Sequence, residues 1–382
     1  MASAYSLSSG IKKRIRKAHF KVDAALHRAV GYTMGLGEKS TSFEDLVVVK
    51  PHNGYPDYHP SCVQLPDGRI LYMYSRGTEP GVLYQSIIED AETFITNKDT
   101  VSSETEILQD VYYPRATVFQ NESGDLFFIV AYTKTTTENV AKILVYKSAL
   151  RDGSDWELYS TIQSVSWDGT HYFSSPKWLS VGIPLFDNGK IFLSHLFFYN
   201  ASGYLCAKLA ISSTEDCLIW TQRYIVSAGA FDTNMEFGSR NIGKINGVFW
   251  WSWYSDYGHI QIRFASSSDG ISWSTAFMET SYTAVSGYLL HTLFSDGYEL
   301  YDLSVEQNPP SHLYKTSASP SAFSDFSDTM ITIAVGDSVN YDPHTCVIDV
   351  GNIPVILSGS ATSANGVFMT GAKKTKAKER IR

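Results

Sequence analysis

The stretch IPLFDNGKIFLSHLFF, residues 183–198, sets an Asn-Gly pair between two apolar runs. Asn-Gly and Asp-Gly readily take the positive φ angles of a two-residue hairpin, so this stretch predicts a strand, a tight turn and a second strand. The layout recurs at SCVQLPDGRILYMYS (61–75), ATVFQNESGDLFFIVAY (116–132) and INGVFWWSWYS (245–255), around Asp296-Gly297 and, more weakly, at Gly351-Asn352. Successive turn glycines from Gly68 to Gly297 are 56, 65, 58 and 50 residues apart, which is the length of a four-stranded repeat.

A second motif follows the third strand of each repeat. It reads IIEDAETF (87–94), ALRDGSDW (149–156), STEDCLIW (213–220), SSSDGISW (266–273) and, in degenerate form, SASPSAF (317–323). These segments resemble the Asp-box, or BNR repeat, of the sialidase-like propeller family, whose pattern is close to Ser-x-Asp-x-Gly-x-x-Trp. In such a turn the Asp accepts backbone N–H groups, Gly takes the left-handed position and the aromatic ring packs between sheets. We therefore expect a structural role for Asp90, Asp152, Trp156, Asp216, Trp220, Asp269 and Trp273.

The repeats predict an all-β fold, a six-bladed β-propeller over residues 42–372. Its sixth unit, PHTCVIDVGNIPVILSG (343–359), parallels the first and is followed by one more strand-like segment, NGVFMTG (365–371). The strand-like segment 43–50 precedes the first blade without a hairpin partner. We expect this N-terminal strand to complete the last blade, which closes the ring and removes an exposed sheet edge.

Charge separates the two ends of the chain from its body. Residues 1–40 carry +6 and residues 373–382 carry +5, so that the total of −8 leaves −19 for residues 41–372. An acidic body repels phosphate groups, and we expect no nucleic acid at the propeller. Residues 1–41 are interpreted as a basic arm, residues 373–382 as a basic tail.

The arm contains an amphipathic helical pattern over residues 8–30, with Ile11, Ile15, Val22 and Leu26 near one face. Three interpretations stay open: a solvated extension, a helix that docks on an acidic protein surface or forms oligomers, and a segment that binds a membrane surface. The N-terminus has no apolar stretch after its basic cluster, and the four cysteines form no CxxC pair. We expect synthesis in a reducing cytoplasm, without a secretory signal or a disulfide framework.

The central mouth of a propeller, where the first strand of each blade begins, is the expected ligand site. Those starts are rich in Tyr, His and charged residues, a lining that suits sugars. Glycoside hydrolysis needs two facing carboxyl groups, for which Asp57, Glu236 and Asp342 are the candidates. The histidines are dispersed, so neither a metal site nor a cofactor is predicted. The candidate ligand-binding residues are Tyr58, His59, Tyr113, Arg115, Lys177, Glu236, Tyr288, His291, Tyr341 and His344.

The sialidase resemblance also implies three arginines that grip the substrate carboxylate, the first of them in a Phe-Arg-Ile-Pro motif that opens blade one. The matching residues here are Asp57-Tyr58-His59-Pro60, so Tyr58 stands where the resemblance implies Arg. Glu236 matches the family's Glu, but WWSWYS (250–255) has no Arg where one is implied. The sequence therefore argues against sialidase activity and leans against an enzyme.

Propellers of this kind with short arms resemble phage tail and virion proteins that recognise host glycans. That resemblance implies a virion-associated propeller that binds a surface glycan or host receptor and attaches to other virion or tail proteins through residues 8–30. One alternative is a glycoside hydrolase that acts on a surface polysaccharide. A second alternative is a purely structural virion propeller.

Overall fold

The computed structural model describes residues 57–77, 79–89, 104–168, 181–226, 236–238, 241–256, 260–279, 290–295, 299–305, 311–333, 346–350, 353–358 and 368–371. Within these ranges the chain is all-β, as the sequence predicts, with one turn of 3-10 helix at Phe323–Asp325. All of them belong to one compact unit that lies within Phe43–Ala372. The predicted helix over 8–30, the strand over 43–50 and the tail over 373–382 lie outside the described residues. The described residues include no helix that is both long enough and apolar enough to cross a membrane.

The described strands form six antiparallel sheets that follow one another along the chain. The first sheet consists of β1 (Asp57–Gln64), β2 (Ile70–Arg76), β3 (Gly81–Ile88) and β4 (Glu104–Tyr112), with β7 (Lys134–Thr135) added at its outer edge. The second sheet consists of β5 (Arg115–Gln120), β6 (Leu126–Tyr132), β8 (Val140–Ser148) and β9 (Trp156–Ser166).

The remaining four sheets repeat this meander. The third consists of β10 (Leu185–Asp187), β11 (Lys190–Ala201), β12 (Tyr204–Thr214) and β13 (Thr221–Ile225). The fourth consists of β14 (Glu236–Gly238) and β15 (Gly243–Ile245), which both pair with β16 (Val248–Asp256), then β17 (Ile260–Ser267) and β18 (Ser274–Glu279). The fifth consists of β19 (Leu290–Ser295), β20 (Leu300–Val305), β21 (Ser311–Thr316) and β22 (Ser327–Ile333), and the sixth of β23 (Cys346–Val350), β24 (Ile353–Ser358) and β25 (Phe368–Gly371).

Two of the predicted hairpin turns have the backbone that their sequences favour. Asn188 and Gly189 have φ angles of 50° and 74°, and Asn246 and Gly247 have 50° and 78°. Two successive positive φ angles define the type I′ turn, whose twist matches that of the flanking strands. Each pair joins two hydrogen-bonded strands, β10 to β11 and β15 to β16. The hairpin predictions at these two turns are confirmed.

The core lies between the sheets, which pack face to face. Strand β6 shows this best, because all seven of its residues are buried. Phe127 and Ile129 pack into a cluster shared with the third sheet, whereas Phe128 and Val130 pack against Leu71 and its neighbours in the first sheet. Successive side chains of a strand point to opposite faces. A strand covered on both faces therefore reads as a continuous apolar run.

Contacts between sheets follow the order of the chain and return to its beginning. They join β1 to β5, β9 to β11, β12 to β14 and β16 to β19, which links the first five sheets in turn. Strands β23 and β24 of the sixth sheet contact β1 of the first. A chain of sheets whose last member packs on its first is the arrangement of a propeller.

Candidate functional site

The predicted site residues fall into three groups. His59, Tyr113 and Arg115 have described side chains and lie where β1 and β5 begin. Four others are placed by their backbone on first strands: Asp57 and Tyr58 on β1, Glu236 on β14 and His291 on β19. Lys177, Tyr288, Tyr341, Asp342 and His344 lie outside the described residues, as does the Asp-box residue Asp90.

The first strands of the first and second sheets are hydrogen-bonded to each other through side chains. Ser61 Oγ accepts the N–H of Val118 at 3.0 Å and lies 3.4 Å from Thr117 Oγ1. Behind them, Ser75 Oγ donates to the carbonyl of Pro114 at 2.6 Å. These contacts fix the start of β5 beside that of β1, so His59 and Arg115 belong to adjacent strand ends.

His59 and Tyr113 share an unusual backbone at these strand ends. Both precede a proline, yet their φ angles are 56° and 55°. A residue before proline normally takes extended geometry, and a non-glycine residue at positive φ costs free energy that the surrounding structure must offset. For His59 the setting is a β-bulge, because the β1–β2 register shifts between Tyr58 and Ser61. Both side chains are buried. Strained positions of this kind cluster at functional sites, which supports this end of the sheets as the candidate site.

Arg115 is buried as well, with only 4% of its surface exposed. Its Nη1 donates to the carbonyl of Pro114 at 2.9 Å. One donor of the guanidinium is thus engaged by the backbone next to it. The predicted role of Arg115 in ligand binding remains a prediction.

Arg76, a second arginine near this end of the first sheet, is engaged by neighbours of its own sheet. Its Nη2 lies 2.7 Å from Glu104 Oε1, and its guanidinium carbon lies 4.6 Å from the centre of the Tyr84 ring. Tyr74 also donates its hydroxyl to Glu104. Arg76 therefore serves the packing of the first sheet, and the described contacts give it no substrate-clamping arrangement with Arg115.

The Asp-box turns of the third and fourth sheets have closely similar hydrogen bonds. Asp269 Oδ1 accepts the N–H groups of Ile271 and Ser272, each at 2.8 Å, and Trp273 Nε1 donates to the carbonyl of Gly270 at 3.0 Å. The bonds from Ser272 and Ile271 lower the pKa of Asp269 to about 2, since they stabilise its charged form.

In the third sheet, Asp216 Oδ1 accepts the N–H groups of Leu218 and Ile219 at 2.8 and 3.1 Å, and Trp220 Nε1 donates to the carbonyl of Cys217 at 3.1 Å. The bonds from Ile219 and Leu218 lower the pKa of Asp216. Cys217 occupies the position that glycine fills in the fourth sheet, at a φ of 62°. Burial raises the pKa of its thiol to about 12, which makes it a packing residue and a poor nucleophile.

In the Asp-box turn of the second sheet, two aspartates accept hydrogen bonds from neighbouring groups. Asp152 Oδ1 accepts the N–H of Ser154 at 2.9 Å. Asp155, which the motif did not single out, accepts the hydroxyl of Ser148 at 2.5 Å and the N–H of Leu150 at 2.9 Å. The signal in the sequence is the second acidic residue of ALRDGSDW, placed directly before the tryptophan.

Each of these turns docks on the sheet before it. Trp156 Nε1 donates to Gln85 Oε1 at 2.8 Å, and Gln85 Nε2 donates to the carbonyl of Gly153 at 2.8 Å, which ties the second sheet to the first. Ser160 Oγ of β9 donates to the carbonyl of Cys217 at 2.6 Å, which ties the third to the second. Nothing in the sequence singled out Gln85, because its partner lies 71 residues away.

Among the residues with described side chains, no group of three His, Cys, Asp or Glu is placed to hold a metal ion. The candidate site therefore has His59, Tyr113 and Arg115 at strand starts. Asp57 and Glu236, which carry carboxyl groups, are placed on first strands by their backbone.

Comparisons with known proteins point to one fold. No protein-family model matches the chain, and no curated protein matches its sequence. An α-L-arabinanase from Penicillium chrysogenum in complex with arabinobiose superimposes with a TM-score of 0.58 at 14% identity, over 87% of this chain and 98% of that one. An α-L-arabinofuranosidase from Fusarium graminearum gives 0.55 at 10% identity, over 88% and 98%.

The NanB sialidase from Streptococcus pneumoniae gives a TM-score of 0.51 at 8% identity, over 90% of this chain and 72% of that one. At such low sequence identity, these structural similarities show a shared fold and do not show a shared activity. The chain has the fold of the sialidase-like and glycosidase β-propellers.

Proposed function

We propose that this protein is a carbohydrate-active propeller that hydrolyses glycosidic bonds in a polysaccharide. The observation that carries the proposal is the fold shared, over 86% to 90% of the chain, with an arabinanase, two arabinofuranosidase structures and a sialidase. Those proteins are named for cleaving sugars, and a bound arabinobiose is named in two of the structures. This favours the hydrolase over the binding protein that the sequence alone suggested.

The positions of the candidate carboxylates support hydrolysis. Asp57 is the first residue of β1 and Glu236 the first of β14, and each of these strands begins its sheet. Asp342 precedes β23, whose sheet packs against β1. Two carboxyl groups on either side of a glycosidic bond suffice, one as general acid and the other as nucleophile or base. We assign these roles to Glu236 together with Asp57 or Asp342.

The proposed substrate is not a sialic acid. Tyr58 replaces the first arginine that the sialidase resemblance implies, and residues 250–255 supply none. Arg76 is held by Glu104, and Arg115 donates to Pro114. A clamp of three guanidinium groups on one carboxylate has no support from these residues.

We further propose that the sheets close as a six-bladed ring with its axis beside the first strands. Support comes from the six described sheets, from the contact of the sixth with the first, and from the three strands described in the sixth where most others have four. Residues 43–50 would supply the fourth strand of that blade. Deletion of these residues should lower the unfolding temperature, whereas deletion of residues 1–41 should not.

A second candidate is a glycan- or receptor-binding propeller of a phage tail or virion. The missing arginines and the basic segments at both ends favour it. Under this proposal residues 8–30 attach the propeller to other virion or tail proteins, and the mouth residues bind glycan without turnover. If a chain lacking residues 1–40 still assembles into the native complex, the docking role of the arm is wrong.

One experiment separates these functions. The full chain is screened on a glycan array, every hit is incubated with the protein, and products are analysed for new reducing ends. Glu236→Gln should abolish turnover and leave adsorption intact, while Glu215→Gln, at an exposed Asp-box turn, should change neither. If wild type adsorbs to glycan without turnover, and Glu236→Gln or Arg115→Ala loses that adsorption, the result supports the binding protein. If neither Glu236→Gln nor Arg115→Ala changes adsorption or turnover, the result supports the purely structural propeller.

A further inference from the structure

Asn188 lies in an exposed hairpin turn, directly before a glycine. Asn188 and Gly189 are both exposed, and a Cβ built on Gly189 would meet no atom within 4 Å. Asparagine is among the chemically labile residues. A glycine after it leaves the next backbone nitrogen unshielded, because glycine has no Cβ. The turn therefore presents a side-chain amide carbon and a backbone nitrogen that can attack it.

The reaction that this pair of residues supports is deamidation through a cyclic imide. The backbone nitrogen of Gly189 attacks Cγ of Asn188, and the new C–N bond closes a succinimide ring. The C–N bond of the side-chain amide breaks, and the proton of the attacking nitrogen passes through water to the departing ammonia. Water then opens the ring at either carbonyl, which gives aspartate or isoaspartate. Water is the only co-reactant, and no group is oxidised or reduced.

The contacts that hold the turn set the rate of this reaction. Closure of the imide ring requires a different ψ at Asn188 from the one in a type I′ turn, so the hairpin end has to open briefly. The Nδ2 of Asn188 donates to Oδ2 of Asp187 at 3.1 Å, an exposed contact within the turn that water can replace. The tie to the next sheet is an ion pair between Asp187 and Lys244, with 2.5 Å between Oδ1 and Nζ. A lysine side chain is flexible and follows such a movement.

Asn246 occupies the same kind of turn in the fourth sheet and is held through backbone groups of another sheet. Asn246 and Gly247 have φ angles of 50° and 78°, and the space around the glycine is equally open. The Nδ2 of Asn246 donates to the carbonyl of Ser317 at 3.2 Å, 71 residues along the chain. Two positions before Asn246, the N–H of Lys244 donates to Ser295 Oγ at 2.8 Å, and this hydroxyl donates to the carbonyl of Lys244 at 3.0 Å. These bonds tie the turn at Asn246 to the fifth sheet and oppose its opening.

We propose that Asn188 is a site of spontaneous deamidation and isoaspartate formation, which Asn246 resists through its ties to the fifth sheet. Isoaspartate adds a carbon to the backbone, and a two-residue turn accommodates it only if the pairing of Asp187 with Lys190 shifts. The modification therefore loosens the first hairpin of the third sheet. Strand β10 ends at Asp187, so this turn lies at the far end of that strand from its start. The inference does not depend on the proposed function.

The test follows the two asparagines of the full chain during storage at neutral pH. Trypsin releases them in separate peptides, residues 178–190 and 245–263, in which mass spectrometry distinguishes the amide, aspartate and isoaspartate forms. Asn188 should convert about tenfold faster than Asn246, the factor that corresponds to one or two net hydrogen bonds. Asn188→Gly, which keeps a sequence suited to a type I′ turn, should abolish the change in its peptide. It should also abolish the slow fall in the midpoint of urea unfolding that wild type shows on storage.

Ser295→Ala tests why the two rates differ. It removes the hydroxyl that holds the backbone of Lys244, so Asn246 should convert faster while the rate at Asn188 stays unchanged. Equal rates for the two asparagines of wild type, or faster conversion of Asn246, would overturn the proposal. An unchanged rate at Asn246 in folded Ser295→Ala would overturn the protective role of these ties. Should Ser295→Ala fail to fold, the comparison within wild type decides alone.

Discussion

Substitution of Gly270 by Ala tests the packing of one sheet on the next. Gly270 has a φ of 71°, and a Cβ built on it would lie 2.5 Å from Cε1 of Phe192 in the third sheet. The left-handed backbone costs an alanine about 1 to 2 kcal/mol. Forcing a methyl group into a packed ring adds about 1 to 3 kcal/mol. Lower entropy of the unfolded chain offsets roughly 0.4 to 1 kcal/mol, so we expect the free energy of unfolding to fall by about 1 to 5 kcal/mol.

Gly189→Ala is the matched control, because Gly189 has a similar φ of 74° and no atom within 4 Å of the built Cβ. This variant should lose only about 1 kcal/mol of unfolding free energy, which is the cost of placing an alanine at positive φ. The assay is urea unfolding followed by tryptophan fluorescence, with the midpoint as readout and the slope expected to stay constant. Equal losses for the two variants would refute the contact between the fourth-sheet turn and Phe192, and with it the docking of Asp-box turns on preceding sheets.

Two further predictions concern the stability of the fold at low pH. His195 is buried, with Nδ1 2.7 Å from the carbonyl of Leu196 and Nε2 2.8 Å from Ser212 Oγ, and desolvation lowers its pKa from 6.5 to about 4. Because the unfolded chain takes up this proton first, stability should be full above pH 6.5 and fall by roughly 3 kcal/mol as pH drops to about 4, a dependence that His195→Gln should flatten in unfolding titrations. Asp269→Ala should cost about 1 kcal/mol at pH 7 through two lost backbone bonds. Since the pKa of Asp269 is lowered to about 2, thermal melts of wild type and variant should converge as pH falls from 3.8 toward 2, and a constant difference would contradict this.

The sequence predicts the local parts of the fold because their causes are local. Asn188-Gly189 takes a type I′ turn from its own backbone preference, and the turn at Asp269 forms from groups within three residues. Strand β7 is different, since its two residues leave the second-sheet hairpin to pair with β4 of the first sheet. No pattern of two residues encodes a partner more than twenty positions away.

The site is harder to predict than the fold for the same reason. Tyr113 precedes a proline, which by itself favours extended backbone, yet it has a φ of 55° where the chain passes from β4 to β5. Residue types at strand starts predict a carbohydrate site, but whether these side chains meet depends on how distant sheets pack together.

The central claim is that this propeller cleaves glycosidic bonds with carboxylates carried by its first strands. Its most direct measurement is the release of new reducing ends from polysaccharide by wild type and by Glu236→Gln, at equal folded concentration. The claim predicts release by wild type and a loss of at least about a hundredfold in the variant, as expected when a group in general acid–base catalysis is removed. Binding of glycan by wild type with no release of reducing ends on any polysaccharide that it binds would contradict it.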